Sequence, residues 1–197
     1  MLITDDYIKF LSNCKTEREC VAEAEKLAIQ KGFQPFNQNS TYHSGDKVYF
    51  INRKKNFAAF IIGENPEYNI LGANIDSPRI DVKQSALTEN DDIAYFDTHY
   101  YGGIKKYQWV TTPLALHGVV VKKDGTPITI KIGEDKNDQV FCITDLLPHL
   151  DSERMSTQKA DEFVKGENLD VIAGVVSKKE SFLRKDTKEL AKTLVLN

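Results

Sequence analysis

The sequence predicts an α/β protein, because helical and strand-like patterns follow one another along it. The first 31 residues carry helix signals, and residues from Thr41 onward carry apolar runs of strand length. An apolar run at residues 70–73 then ends in a short polar segment and a proline, as expected where a buried strand ends. In open α/β sheets, functional residues usually lie at the carboxyl ends of such strands.

The charge of the chain limits its partners. Among its 197 residues, 28% are charged, the formal net charge is -3, and acidic and basic residues are interspersed. A nucleic-acid-binding protein normally carries a basic patch and a high isoelectric point, so no nucleic acid is expected as a partner.

The apolar runs and the cysteines indicate a cytoplasmic protein. No run is long enough to span a bilayer and no signal peptide is visible, so no membrane association is expected. Cys14, Cys20 and Cys142 are odd in number and lack CxxC spacing. This pattern predicts reduced thiols packed as small apolar side chains, and hence a cytoplasmic location.

Two helices are predicted at the start of the chain. Thr4 followed by two aspartates is typical of a helix N-terminus. Thr16 and Glu19 have the spacing of a capping box, in which each side chain bonds the other residue's backbone N–H. Gly32 follows the second apolar pattern where a helix of this length would end. We expect both helices to be scaffold.

Strands and a second domain are predicted next. Residues 47–51 and 58–62 are expected to form a hairpin. Residues 84–92 are polar and rich in residues that break regular structure, which predicts a crossing into a second unit. The expected domains are therefore residues 1–85 and residues 86–197.

The second domain is predicted to be rich in β-structure. Lys122-Lys123-Asp124-Gly125 is a hairpin signal, because Asp-Gly supplies the positive φ that a primed turn needs. The strand-like runs are residues 93–96, 99–101, 109–112, 114–122 and 128–132.

Three further segments are predicted toward the C-terminus. Residues 151–165 are expected to form a helix and a loop, and residues 169–176 a strand. Residues 177–188 are a charged connector, and Asp186-Thr187 has the pattern of a cap for a final helix.

Asn74 and Asp76 are the first candidates for a functional site. If residues 70–73 are an extended strand, these two side chains project to the same side of the chain. The same residues also provide good turn chemistry before Ser77-Pro78, because Asn and Asp side chains bond their own backbone. The residue pattern alone leaves both interpretations open.

His149 is the second candidate. It lies in residues 141–150, which are expected to end a strand and begin a short helical turn. A lone histidine in an apolar context most often has a structural role. His43, beside a turn signal, is predicted to be a surface loop residue.

Five separated segments carry a resemblance to one family. Residues 72–79 read Gly-Ala-Asn-Ile-Asp-Ser-Pro-Arg, and the other segments are residues 98–109, 113–118, 132–135 and 143–150. The first resembles the Gly-Ala-His-x-Asp-Ser-Pro segment of the M18 family of zinc aminopeptidases, which includes the aspartyl aminopeptidases. The other segments are similar to that family in the same order. The resemblance is to its bacterial branch, M18-family aminopeptidase 1.

The resemblance implies the front part of a zinc-aminopeptidase α/β catalytic domain that is interrupted by a β-rich dimerisation or oligomerisation domain. Residues 1–85 would belong to the metallopeptidase domain. Residues 86–197 would form the subunit-packing domain, incomplete at its C-terminal end. Family members are more than twice as long, and their remaining metal ligands and glutamate base lie in the part that is missing here.

The resemblance also implies roles for three residues. Asn74 occupies the position of a histidine zinc ligand, although a neutral amide oxygen is a poor zinc ligand. Asp76 matches the catalytic-site aspartate that orients this histidine and raises its basicity. His149 matches a histidine that reaches a neighbouring subunit's active site, where we favour substrate binding in trans over metal ligation.

The function implied is that of a cytoplasmic M18-type metallo-aminopeptidase, which removes N-terminal residues from peptides with a zinc-activated water inside a large homo-oligomer. Peptide would be the substrate and zinc the cofactor. Because ligands are missing, we expect this chain alone to bind zinc poorly and to be inactive. The alternative is a non-catalytic fragment or an assembly module that retains the oligomerisation domain.

Overall fold

The computed structural model describes residues 3–175, which fall into two compact units. The N-terminal unit extends to Ser77, and the C-terminal unit begins at Pro78. The compact units thus divide earlier in the chain than the domain boundary expected at residue 85. The catalytic and subunit-packing roles assigned to the two domains stay predictions.

The N-terminal unit begins with two helices, α1 (Ile3–Asn13) and α2 (Glu17–Gln30). The predicted capping box is confirmed at the start of α2. The hydroxyl of Thr16 accepts a hydrogen bond from the backbone N–H of Glu19 at 3.3 Å, and the Glu19 carboxylate accepts one from the Thr16 N–H at 2.9 Å. Two backbone donors at the open end of the helix are thereby satisfied.

The end of α2 is fixed by Gly32, as predicted. Gly32 has a φ of 83°, and its N–H donates to the carbonyl of Ile29 at 3.0 Å. The N–H of Phe33 donates to the carbonyl of Ala28, also at 3.0 Å. These two bonds are the Schellman motif, which needs a left-handed residue and therefore favours glycine.

A three-stranded sheet follows the helices, formed by β1 (Gln34–Pro35), β2 (Lys47–Asn52) and β3 (Asn56–Ile61). The order is β1-β2-β3, with β1 parallel and β3 antiparallel to β2, so the predicted hairpin is confirmed. Tyr49 of β2 points toward α2, because its hydroxyl donates to Glu25 at 2.9 Å. One face of this sheet therefore packs against α2.

The strand predicted at residues 70–73 is wrong. Residues 62–78 form neither helix nor strand, and Ile70 and Leu71 are exposed. A strand is stable only when neighbouring strands pair with its backbone and other side chains cover its apolar residues. Among residues 3–175, no strand pairs with this segment.

The C-terminal unit contains five strands and one short helix. In chain order they are β4 (Arg79–Asn90), β5 (Ile93–Tyr101), β6 (Leu116–Val121), β7 (Pro127–Ile132), α3 (Ser152–Thr157) and β8 (Val171–Val175). Strands β4, β5 and β8 form an antiparallel sheet with β5 in the centre, and β6 and β7 form a separate hairpin. The β-rich character expected of this region is confirmed.

Residues 84–92, which the sequence places at a crossing between units, belong to β4 and its turn into β5. Asp91 and Asp92 have φ values of 50° and 62°, the geometry of a two-residue primed turn. Ser85 has a φ of 55° within the stretch where the β4–β5 register shifts. The polar character of this segment thus reflects a tight turn and a bulge.

The hairpin predicted around Lys122 and Gly125 is confirmed, but its turn is of a different type. Gly125 has a φ of 85°, whereas Asp124 is not in the positive-φ region, and the Gly125 N–H donates to the Lys122 carbonyl at 2.9 Å. This is a type I turn followed by a glycine bulge. Glycine does supply a positive φ here, as predicted, but at the bulge position Gly125 and not at both residues of a primed turn.

The strand predicted at residues 109–112 is wrong, because this segment is a turn that follows the short 3-10 helix Lys106–Gln108. Thr111 has a φ of 58°, and its N–H donates to the carbonyl of Ile143 at 2.7 Å. A β-branched residue rarely adopts positive φ, so this long-range contact overrides the local preference for strand.

The core of the C-terminal unit surrounds Ile143 and Leu169, which are fully buried. Thr98 of β5 joins the sheet to this core: its hydroxyl donates to the Leu169 carbonyl at 2.6 Å, and its N–H donates to Asp170 at 3.1 Å. Phe96 packs beside Phe141 with ring centroids 6.1 Å apart. Segments far apart in sequence therefore meet at the central strand.

Some predictions reach beyond the described residues. The strand predicted at 169–176 is confirmed as β8, although it begins at Val171, and α3 with the loop after it confirms the prediction for 151–165. The connector at 177–188 and the cap at Asp186-Thr187 lie outside the described residues. Among residues 3–175, no helix is both long and apolar enough to cross a membrane.

Replacing Gly133 by alanine should destabilise the C-terminal unit. Gly133 has a φ of +100°, and an added Cβ would lie 3.0 Å from the Cα of Ala115. Backbone strain and this backbone contact together should lower the free energy of unfolding by about 2 kcal/mol. Urea unfolding followed by circular dichroism measures the change.

Gly118→Ala is the matched control, because a Cβ at Gly118 in β6 meets nothing within 4 Å. This control should leave stability unchanged or raise it by about 0.5–1 kcal/mol. Equal unfolding midpoints for the two variants would contradict the role of Gly133.

Cys14 should react slowly with alkylating reagents while the chain is folded. Cys14 and Cys20 are buried and are not in disulfides, as expected for packed thiols. Burial, followed by the neighbouring Cys20 thiol, raises the pKa of Cys14 to about 12. Since the thiolate is the nucleophile, alkylation by iodoacetamide at pH 8 should be on the order of 100-fold slower than in urea. Peptide mass spectrometry reads the rate, and equal rates with and without urea would disprove the prediction.

Candidate functional site

Asn74 and Asp76 are in direct contact. The Asn74 side-chain amide donates to the Asp76 carboxylate at 3.2 Å and is 3.4 Å from the Asp76 backbone carbonyl. Asn74 is exposed and Asp76 is half-buried, in a segment without regular structure. The structure thus brings the two predicted residues together, through a local contact of the turn-like kind rather than at the end of a strand.

The contact has a consequence for metal binding. In a metal site a carboxylate commonly accepts the N–H of a ligating histidine and so orients the ring. The side-chain amide of Asn74 donates an N–H to the Asp76 carboxylate, as a ligating histidine would. What remains for a metal on Asn74 is a neutral amide oxygen, which zinc binds far less well than an imidazole nitrogen.

The described residues do not assemble a zinc site. Among residues 3–175, no group of three or more His, Cys, Asp or Glu side chains is placed to hold a metal ion. A protein zinc site normally has at least three protein ligands, so the donors in this part of the chain do not fit the ion.

His149 lies in the C-terminal unit, in an exposed turn that precedes α3. Asn74 and Asp76 belong to the other unit. The substrate-binding and metal-binding roles of His149 stay predictions.

Arg154 holds both ends of the segment that contains His149. It donates to Asp145 at 2.8 Å and to both carboxylate oxygens of Asp151 at 2.5 Å, and it also donates to the backbone carbonyl of Phe163. Asp151 is buried, so its charge is balanced mainly by this guanidinium. The hydrogen bonds to Asp151, and then those to Asp145, raise the pKa of Arg154.

Sequence reasoning missed the Arg154 cluster. Its only local signal is the spacing of Asp151 and Arg154, three residues apart at the start of a helix. The contacts with Asp145 and Phe163 depend on how the chain folds back, which the spacing does not reveal. The cluster holds the segment around His149 in place, and none of its side chains is a candidate for catalysis.

Two of the other histidines, His43 and His117, each lie beside a carboxylate. His43 is highly exposed beside Asp46, as predicted for a loop residue. His117 has a buried side chain with Nε2 3.0 Å from a Glu134 carboxylate oxygen. Neither belongs to a three-ligand group within the described part of the chain.

Comparison with known proteins identifies the class. A family model described as aminopeptidase I zinc metalloprotease (M18) matches residues 10–196. Because the match covers nearly the whole sequence, the chain belongs to the M18 family of peptidases. The resemblance carried by the separated motifs, and the α/β fold class, are confirmed.

Relatives and solved structures agree with this assignment. The probable M18 family aminopeptidase 1 of Clostridium acetobutylicum is 50% identical over 183 residues, which are 89% of this chain and 39% of that protein. The crystal structure of the M18-family aminopeptidase of Thermotoga maritima has a TM-score of 0.85 and 45% identity, and the match covers 98% of this chain and 42% of that one. The chain thus spans less than half the length of these relatives.

A more distant structure shares the fold. The mApe1 dodecamer of S. cerevisiae has a TM-score of 0.64 and 18% identity, with the match covering 98% of this chain and 44% of that one. At this identity the similarity concerns the fold alone.

Arg154→Ala should destabilise the C-terminal unit, since it leaves the buried Asp151 carboxylate without its counterion. The expected loss is about 3 kcal/mol in the free energy of unfolding. Urea unfolding measures it, and limited proteolysis within residues 145–151 should become faster because both ends of that segment are released.

Lys26→Ala is the control. Lys26 forms an exposed ion pair with Glu23 at 3.3 Å, and such pairs contribute about 0–1 kcal/mol. If Arg154→Ala cost no more than Lys26→Ala, the Arg154 cluster would not hold this segment.

Proposed function

We propose that this chain supplies one part of an M18 metallo-aminopeptidase, which hydrolyses N-terminal residues from peptides. The observation that carries the proposal is the family match over residues 10–196. The remaining zinc ligands and the general base would come from polypeptide equivalent to the part of the relatives that this chain does not match. On its own, the chain would not hydrolyse peptides.

In the assembled site, Asp76 would orient the ligand at position 74. Its carboxylate already accepts a side-chain N–H from residue 74 at 3.2 Å, the contact that would orient a ligand at this position. Asn74 at the ligand position would weaken the binding of one metal ion. His149 would bind substrate in the active site of a neighbouring subunit, and its exposure is compatible with such a contact.

A homo-oligomer follows from the same proposal. A subunit that inserts His149 into its neighbour is complete only in an assembly, and one structure with this fold is a dodecamer. The free cysteines support a cytoplasmic location for the assembly. Nucleic acid is not proposed as a partner, in keeping with a net charge of -3, and membrane is not proposed because the sequence has no apolar run of spanning length.

A second function is a non-catalytic assembly module. Two observations favour it: the C-terminal unit has its own buried core around Ile143 and Leu169, and the described residues do not form a zinc site. Such a module would keep subunit packing while lacking peptidase chemistry. The two functions differ in whether this chain supports hydrolysis when the rest of the enzyme is supplied.

The test combines zinc analysis with a peptidase assay. The purified, dialysed chain alone should contain less than about 0.1 zinc per chain and release no N-terminal residue from model peptides, because three zinc ligands are not assembled. Mixed with the part of the Clostridium acetobutylicum relative that it does not match, it should give chelator-sensitive hydrolysis. Hydrolysis by the chain alone would overturn the proposed division of the site, and no hydrolysis by a stable mixture would favour the assembly module.

Asn74→His sharpens the test, since an imidazole restores a good zinc ligand beside Asp76. In the mixture this variant should raise zinc content and the rate of hydrolysis by about 10-fold or more. Asn65→His, in the exposed turn of the same unit, is the control and should change neither. Equal effects of the two variants would exclude residue 74 from the metal site.

A further inference from the structure

Cys14 and Cys20 bury their thiols beside each other, at the corner between α1 and α2. Their exposed fractions are 6% and 8%, and neither is in a disulfide. The Cys14 thiol donates a hydrogen bond to the Cys20 sulfur. Packing as small apolar side chains explains the burial of each cysteine, but it does not require the two sulfur atoms to be neighbours.

The segment that joins the two cysteines is held by backbone hydrogen bonds. The N–H of Cys20 donates to the Thr16 carbonyl at 3.0 Å, within the first turn of α2. The Glu19 carboxylate accepts the N–H groups of Lys15 and Thr16, each at 2.9 Å. Cysteines form a disulfide only where the backbone directs their sulfurs toward each other, and this segment directs Cys14 and Cys20 in that way.

Helix α1 depends on this corner for its attachment. None of its residues is buried, and Ile3, Tyr7 and Ile8 are 90%, 60% and 56% exposed. Cys14, directly after the helix, is the first buried residue of the described chain. A helix that buries so little surface separates from its neighbour at a low cost in free energy. The contact between the two thiols therefore lies where it controls how firmly α1 is attached.

The two thiols differ in how easily they ionise. Burial, followed by the neighbouring Cys20 thiol, raises the pKa of Cys14 to about 12. Burial also raises the pKa of Cys20, but the hydrogen bond from Cys14 acts in the opposite direction, because it stabilises the Cys20 thiolate. Cys20 therefore supplies the larger thiolate fraction, and the thiolate is the form that attacks a disulfide.

We propose that Cys14 and Cys20 form a reversible disulfide, with a small-molecule disulfide as the oxidant, and that this bond attaches α1 to α2. In the first step the Cys20 thiolate, whose proton has gone to water, attacks one sulfur of the oxidant, and the other sulfur leaves as a thiolate. In the second step the Cys14 thiolate attacks the Cys20 sulfur of this mixed disulfide and displaces the second small thiolate. The S–S bond of the oxidant is replaced by the bond between Cys14 and Cys20, and two protons convert the released thiolates into thiols.

Burial makes this reaction slow but does not disfavour its product. The buried thiols ionise poorly and meet an oxidant mainly when α1 separates from α2. A disulfide carries no charge, so the surroundings that disfavour a thiolate do not disfavour the bond. The geometry therefore favours a slow redox-dependent link over a fast sensor of oxidants. The proposal concerns the N-terminal unit alone and does not depend on peptidase activity.

The experiment measures the oxidation equilibrium of the full chain. The purified chain is incubated with glutathione and glutathione disulfide at several ratios, in buffer and in urea, quenched with acid, and analysed by tryptic mass spectrometry. Trypsin cleaves after Lys15 and Arg18, so Cys14 and Cys20 fall on separate peptides that only a disulfide joins. The joined peptides should form in the folded chain with an equilibrium constant about 10-fold or more above that in urea, because folding holds the sulfurs in contact.

The same factor should appear in the stability of the N-terminal unit. By linkage, the disulfide raises the folding equilibrium constant by the factor by which folding raises the oxidation constant, and 10-fold corresponds to about 1.4 kcal/mol. Urea unfolding of the oxidised and reduced chains measures this factor. Hydrogen exchange of the α1 backbone amides should slow by about 10-fold or more on oxidation, because local separation of α1 is restricted.

Two variants separate a specific pair from general thiol oxidation. Cys20→Ala should abolish the effect of the oxidant on exchange in α1. Cys142→Ala is the matched control, because Cys142 is also a free cysteine but lies in the C-terminal unit, and it should leave the joined peptides and the slowed exchange unchanged. Circular dichroism shows whether each variant is folded, and the measurement on the unsubstituted chain holds in either case.

Three results would overturn the proposal. One is the absence of joined peptides from the folded chain at the most oxidising ratio, including the case in which both cysteines carry only glutathione. Another is an oxidation constant no larger in the folded chain than in urea, which would leave the two thiols as packed apolar side chains. The third is oxidation of the pair without any change in the exchange of the α1 amides.

Discussion

The pairing of strand edges is the constraint on which this structure depends. In the C-terminal unit, β5 pairs with β4 along most of its length, and its residues 93–96 also pair with β8 on the other side. Thr98 adds a buried bond to the Leu169 carbonyl, and the core closes around Leu169 and Ile143. Where pairing is complete, apolar side chains are buried.

The N-terminal unit obeys the same constraint with a different result. β3 has one paired edge, residues 62–78 form no strand, and Leu71 is exposed. The candidate Asn74 and Asp76 lie directly beyond Leu71, so their surroundings depend on whether that segment is paired. The contact between Asn74 and Asp76 thus forms without strand pairing within residues 3–175.

The candidate residue His149, by contrast, lies in a segment that the Arg154 cluster already holds in place. One guanidinium joins Asp145, Asp151 and the Phe163 carbonyl, so the turn with His149 is anchored on both sides. The charge of Asp151 is buried and is paired with a partly exposed guanidinium through two hydrogen bonds, which makes the anchor specific in geometry. The turn that carries His149 is therefore held at both ends by the folded chain.

Local chemistry was predictable where it depends on residues close in sequence. The capping box of Thr16 and Glu19 and the glycine end of α2 follow from spacings of a few residues, and both are present. The hairpin at Gly125 was likewise visible, although its turn type was not, because the position of the positive φ depends on the strand register. Asn74 and Asp76 were identified from the motif and do make contact.

The sequence by itself determined the family, the helix ends, the hairpins and the candidate residues, because these depend on residue identity and short spacing. Only the tertiary structure decided that residues 109–112 are a turn held by Ile143, that residues 84–92 are a strand and its turn, and that Arg154 anchors the His149 segment. It also decided that residues 70–73 are not a strand. The reason is physical: long-range partners determine which backbone groups are satisfied, and local propensity does not specify those partners.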